Sequence, residues 1–135
     1  WNSIPRNFLI KNLAKVLNRY RFLSNEEYVT LQLRSRAFLN TLSPLGIVST
    51  RFFENMASRA LVFCEMSKHV ERIFPSECYL TFESDFSDFD QKFEMAVSDS
   101  TERLNMIKTA FELAYTQHTW KIRVNSMIKT IESYV

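Results

Sequence analysis

Gly46-Ile-Val-Ser-Thr-Arg-Phe-Phe-Glu-Asn-Met-Ala-Ser-Arg-Ala-Leu-Val-Phe-Cys-Glu-Met66 decides the fold. A glycine turn leads to Ser49 and Thr50, a hydroxyl pair suited to capping a helix. The helix that follows carries Arg51 and Glu54 in its first turns. Small residues end it. Leu61 to Met66 is then a short continuous apolar run, the pattern of a strand buried on both faces. A helix start offers an anion free backbone N–H groups and a positive dipole end. A carboxylate one turn further in accepts hydrogen bonds from sugar hydroxyls. Together they point to a phosphorylated, sugar-bearing ligand.

The flanking residues extend this strand–helix alternation. On the amino side, Phe8, Leu9, Leu13, Val16, Leu17 and Tyr20 recur at helical spacing, with Pro5 near the start. Ser24 to Glu27 has the spacing of a capping box, opening a helix to about Arg36. Ala37 to Leu42 reads as a short strand, and Ser43 to Gly46 as a turn. On the carboxyl side, residues 67–74 read as one or two helical turns before Pro75, and Tyr79 to Phe82 as a strand. Asp85, Ser87 and Asp88 introduce a helix to about Val97. Asp99 or Ser100 caps a long helix, His118 to Trp120 marks a break, and a last helix runs from Ile122 to Tyr134. The order predicts an α/β, Rossmann-like parallel sheet with helices on both faces. Only three strands are visible against the usual five or so, so the sheet reads as partial and helix-rich. Residues 1–135 read as one domain, and 1–23 as an N-terminal helical extension of it.

Composition narrows the class. The 135 residues are 46% hydrophobic and 24% charged, an ordinary globular balance. One glycine and three prolines are too few for the turns of a sandwich or barrel. The net charge is only +2, but it is uneven: residues 1–50 hold seven Lys/Arg against two acids. That basic third is either a solvated helix face or a surface for nucleic acid, an anionic ligand or an acidic partner. Stacking aromatics are not interleaved with it, so nucleic acid ranks last. Cys64 and Cys78 have no metal-site or disulfide spacing and read as reduced core residues. No apolar run reaches the roughly 18 residues of a membrane span, and no signal peptide is visible, which points to the cytoplasm. The chain opens on Trp1, as a piece of a longer protein would. No Walker loop, Gly-x-Ser-x-Gly, His-Glu-x-x-His or Cys-x-x-Cys occurs. The acidic run Glu83, Asp85, Asp88, Asp90 lacks the glycine and terminal glutamate of a calcium loop and reads as capping charge.

Five segments carry a family resemblance: Ser35 to Asn40, Arg51 to Ala57, Leu61 to Phe63, the helix from Asp85 to Val97, and His118 to Arg123. In order and spacing they resemble the nucleotide-binding, C-terminal half of a GT-B type glycosyltransferase. They resemble in particular its group-1-like branch, which includes CgeB-like proteins. There a strand ends in Leu-Asn, then come Arg-x-Phe-Glu-x-x-Ala-x-Gly, an apolar strand, an acid-introduced helix and a late His-Thr-aromatic-x-x-Arg. The resemblance implies transfer of a sugar from a nucleotide-diphospho-sugar to an acceptor hydroxyl, with no cofactor and no bound metal. It also implies an acceptor domain, absent from these residues, that would hold the catalytic base. This chain alone is then expected to be inactive.

Carried over residue by residue, Glu54 matches the glutamate that binds the donor's ribose hydroxyls. Gly46, Ser49 and Thr50 match the loop and helix start beside the diphosphate. Arg51 matches the branch's arginine, in phosphate contact or in support of Glu54. Arg59 departs from the pattern, standing where the family has the glycine of a left-handed helix end, and a reshaped turn is expected there. The competing reading is a Rossmann-like interaction module docking partners through its basic N-terminal helices. Smaller alternatives stay open: Arg51 and Glu54 as a local ion pair, Ser67 to His69 as donor contact or solvated turn, His118 as cap or packing, and Trp120 with Arg123 as the fasteners of the last bend.

Overall fold

The computed structural model describes residues 23–43 and 45–134. The expected helix over residues 5–20 lies outside them. Helix α1 (Asn25–Arg34) opens on the expected capping box: Ser24 Oγ accepts from Glu27 N–H at 3.2 Å, and Glu27 Oε2 accepts from Ser24 N–H at 2.9 Å. Strand β1 (Ala37–Asn40), helix α2 (Thr50–Ala57) and strand β2 (Leu61–Glu65) follow. A short helix α3 (Lys68–Glu71) and a 3-10 turn (Ser76–Cys78) lead to β3 (Tyr79–Phe82). Helices α4 (Phe89–Val97), α5 (Thr101–Gln117) and α6 (Trp120–Glu132) complete the described residues.

The three strands form one parallel sheet in the order β1-β2-β3, with Ala37 opposite Leu61 and Val62 opposite Tyr79. This is the mixed, Rossmann-like α/β architecture that the alternation implies. Strand β2 lies in the centre, and its Leu61, Val62, Phe63 and Cys64 are all buried. Successive strand residues point to opposite faces, so β2 feeds two cores. Val62 and Cys64 meet Phe52 and Met56 of α2, together with Val70 and Phe74. Leu61 and Phe63 meet Leu80, Phe82 and Ala96 of α4. An aromatic cluster fills the second core, with Phe63 4.9 Å from Phe82 and 5.4 Å from Phe89. Both cysteines are free and buried, and burial pushes the Cys64 thiol up to about 12.

Helix α5 serves both cores, through Ala110 and Ala114 on one side and Met106 and Ile107 on the other. It runs past the amino ends of the strands. Buried Arg103 donates from Nη2 to the carbonyl of Arg36, just before β1, and from Nε to that of Ala96. Phe111 sits under the guanidinium of Arg59, just before β2. The 3-10 turn before β3 also packs on α5. The carboxyl ends of the strands are left to loops.

Three local expectations are corrected. Arg59 does not reshape the end of α2. It takes the left-handed conformation itself, at φ 60°. Arg59 N–H bonds the Met56 carbonyl at 3.2 Å and Ala60 N–H bonds the Asn55 carbonyl at 3.2 Å, the paired bonds of a Schellman end. Asp88, at the start of α4, does not cap it; its Oδ1 accepts from Glu83 N–H at 2.8 Å and closes the preceding loop. Trp120 does not fasten the last bend, being 77% exposed. Thr119 caps α6 instead, and Arg123 makes the fastening contacts.

Candidate functional site

The loop from Thr41 to Ser49 leaves the carboxyl end of β1 and delivers the chain to α2. Gly46 N–H donates to the Ser43 carbonyl at 2.8 Å, and Gly46 has φ +72°, the left-handed region open to glycine. Its backbone lies against the ring of His69 on α3, so the segment Ser67 to His69 packs on this loop. Ser49 takes the N-cap position of α2, but its hydroxyl makes no capping bond, contrary to the expected role of the hydroxyl pair. Thr50 is the exposed first residue of the helix. No acidic residue lies in that first turn.

Arg51 and Glu54 are both exposed on α2. Among the described residues they form no ion pair with each other. Glu54 is held from another helix: Tyr28 of α1 donates its hydroxyl to Glu54 Oε2 at 3.1 Å. Tyr28 in turn accepts from Gln32 Nε2 at 3.1 Å. The chain of bonds continues inward, from Gln32 Nε2 to Asn55 Oδ1 at 3.4 Å and from Asn55 Nδ2 to Asn40 Oδ1 at 3.0 Å. Gln32, Asn55 and Asn40 are all buried. Burial, then the hydrogen bond to Glu54 and its charge, push the Tyr28 phenol above its usual range.

Beside this network lies a cleft of about 330 Å³ lined by Tyr28, Phe38, Leu39, Asn40, Thr41, Arg51 and Asn55; Glu54 stands next to it rather than in its wall. It opens beside β1 between α1 and α2. Arg51 brings to it a cation with no ion-pair partner among the described residues, and Tyr28 links it to Glu54. Gly46, Ser49 and Thr50 do not line it; they form the loop and helix start next to it.

The sequence model of a glycosyl transferase-like family matches residues 6–129. The chain belongs to that family. Sugar transfer, with a sugar donor and an acceptor, is the chemistry that membership carries. No curated protein and no solved structure matches the chain. Among the described residues no helix is long and apolar enough to cross a membrane.

The late His-Thr-Trp-x-x-Arg segment packs behind α2. His118 ends α5, and its ring packs 5.1 Å from Phe53 and 5.7 Å from Phe74. Arg123 stacks 4.4 Å over Phe53 and donates to His118 Nδ1 at 3.1 Å. Phe53 precedes Glu54, so this segment buttresses the glutamate helix from behind. His118 Nε2 is buried with no partner among the described residues. Burial, then the charge of Arg123, hold its pKa below the usual histidine range.

Sequence reasoning missed Tyr28, Gln32 and Asn55 as parts of this site. The available signal was weak: Tyr28 and Gln32 are four apart, so they share a face of α1, and Asn55 follows Glu54 directly.

Proposed function

We propose that this domain binds a nucleotide-diphospho-sugar and is the donor half of a GT-B type glycosyltransferase that transfers the sugar to an acceptor hydroxyl. One observation carries the reading. Arg51, without an ion-pair partner among the described residues, and a Glu54 held by Tyr28 stand one helical turn apart, beside a cleft at the carboxyl side of a parallel sheet. Ligands of open α/β sheets bind on that side, and here α5 covers the other.

The assigned roles follow from chemistry. Glu54 accepts hydrogen bonds from the ribose hydroxyls. Arg51, with the loop and helix start of Gly46, Ser49 and Thr50, faces the diphosphate. In the transfer, the bond from the sugar's anomeric carbon to the diphosphate breaks and one to the acceptor oxygen forms. The departing negative charge is met by the Arg51 cation and the positive end of α2, which needs no metal. A second domain supplies the acceptor site and the base that takes the hydroxyl's proton.

A thermal-shift panel tests the reading, with UDP, GDP, ADP, CMP and the matching diphospho-sugars on the wild type and Glu54→Ala. A ligand at about 100 times its Kd adds about 2.7 kcal/mol, several degrees for a domain of this size. The expected result is a shift with one nucleotide that Glu54→Ala abolishes while keeping a cooperative transition. Absence of a shift with every nucleotide overturns the proposal.

A further inference from the structure

We propose that Tyr28 is a positioning residue: its hydroxyl fixes the Glu54 carboxylate and thereby sets the site's preference for a ribose over a deoxyribose donor. The inference rests on the donor reading above and adds a residue and a specificity to it.

The geometry is directional. A phenol has one proton to give, and Tyr28 gives it to Glu54 Oε2 at 3.1 Å. Gln32 fills the acceptor side of the same hydroxyl at 3.1 Å, so the proton cannot turn inward without losing that bond. Gln32 is itself anchored by Asn55, and Asn55 by Asn40 at the end of β1. The orientation of an exposed carboxylate is thus referred back to the sheet through three buried amides. An isolated surface glutamate samples many rotamers, and ordering it on binding costs affinity. Tyr28 removes that cost beforehand. It occupies one carboxylate oxygen and leaves Oε1 for a ligand hydroxyl. Tyr28 also lines the cleft with Arg51 and Asn40, so a ligand there lies beside the hydroxyl that holds Glu54.

The competing role for the network is to dock α1 on α2, and Tyr28→Phe separates the two. It keeps the ring and removes only the hydroxyl. The test measures Kd values for ADP, GDP and UDP and for their 2′-deoxy counterparts on wild type, Tyr28→Phe, Glu54→Gln and the double variant, with melting temperatures alongside. The wild type is expected to prefer the ribonucleotide by about tenfold or more, the effect of a hydrogen bond to a charged group. Tyr28→Phe should reduce that preference several-fold, with its melting temperature nearly unchanged. Glu54→Gln should reduce it further. Adding Tyr28→Phe to Glu54→Gln should change nothing more, since coupled residues are non-additive. Gln32→Met, which leaves the phenol free to rotate, should weaken the preference in the same direction and by less.

If Glu54→Gln lowers the preference and Tyr28→Phe leaves it at the wild-type value, the inference falls and the donor reading stands. An equal Tyr28→Phe effect with and without Glu54 also overturns it, as the signature of a docking role alone. A wild type that binds none of the nucleotides overturns both.

Discussion

Gly46 lies against the ring of His69: a Cβ on Gly46 would stand 2.6 Å from His69 Nε2 and 2.7 Å from Cδ2. The only glycine of the chain therefore answers two demands at once, a left-handed φ and a close approach to a ring on the short helix α3.

Gly46→Ala should cost about 1–2 kcal/mol for the left-handed backbone alone, with steric repulsion added. His69 is exposed, so its ring can swing away and the repulsion is partly relieved. In a His69→Ala background the same substitution should cost less, leaving only the backbone share. Urea denaturation of the four proteins checks this. Equal costs in both backgrounds would show that the ring contact is unimportant.

Arg59 carries the opposite balance. Its left-handed φ of 60° costs energy that glycine would not pay, and its guanidinium 4.4 Å above the Phe111 ring returns part of it. Such stacking is worth about 0.5–1 kcal/mol at an exposed site. Arg59→Ala should therefore destabilise by about that amount, because it keeps the strain and loses the stack. Arg59→Gly loses the stack and relieves the strain, so its stability should stay within about 0.5 kcal/mol of wild type. The ordering glycine above alanine, read from chemical denaturation midpoints, is the decisive result.

His118 predicts a pH dependence. Burial, and secondly the Arg123 charge, lower its folded-state pKa below the usual 6.5. The folded protein then takes up the proton less readily than the unfolded chain. Stability is full above about pH 6.5 and is lost as the pH falls through that value towards the lower folded pKa. The difference between wild type and His118→Gln in denaturation midpoints, measured from pH 7.5 down to 5.5, isolates this residue. The gap should change across the window, with wild type losing more on acidification. A constant gap would show that His118 does not titrate differently on folding.

Much of the fold was legible because it is written locally. Ser24 and Glu27 lie within one helical turn, so their capping box followed from spacing. The run Leu61 to Cys64 reads as a doubly buried strand because no polar residue interrupts it. The sites of failure share a cause. Ser49 looked like a cap, yet a cap bond depends on how the preceding loop enters the helix. Trp120 looked like a fastener of the last bend, yet the space behind α2 is already taken by His118 and Arg123.

The sequence by itself determined the strand–helix alternation, the positions of β1, β2 and β3, and the placement of Arg51 and Glu54 on one face of one helix. Each of these depends on residues a few places apart, whose relative positions the backbone geometry sets. Tertiary structure alone decided what those side chains meet. Glu54 passes over its neighbour Arg51 for Tyr28, 26 residues away. Gly46 meets His69 of α3 from a loop 23 residues earlier in the chain, and α5 closes the amino ends of the sheet. These contacts are made between elements that only packing brings together, and no local period records which elements will pack.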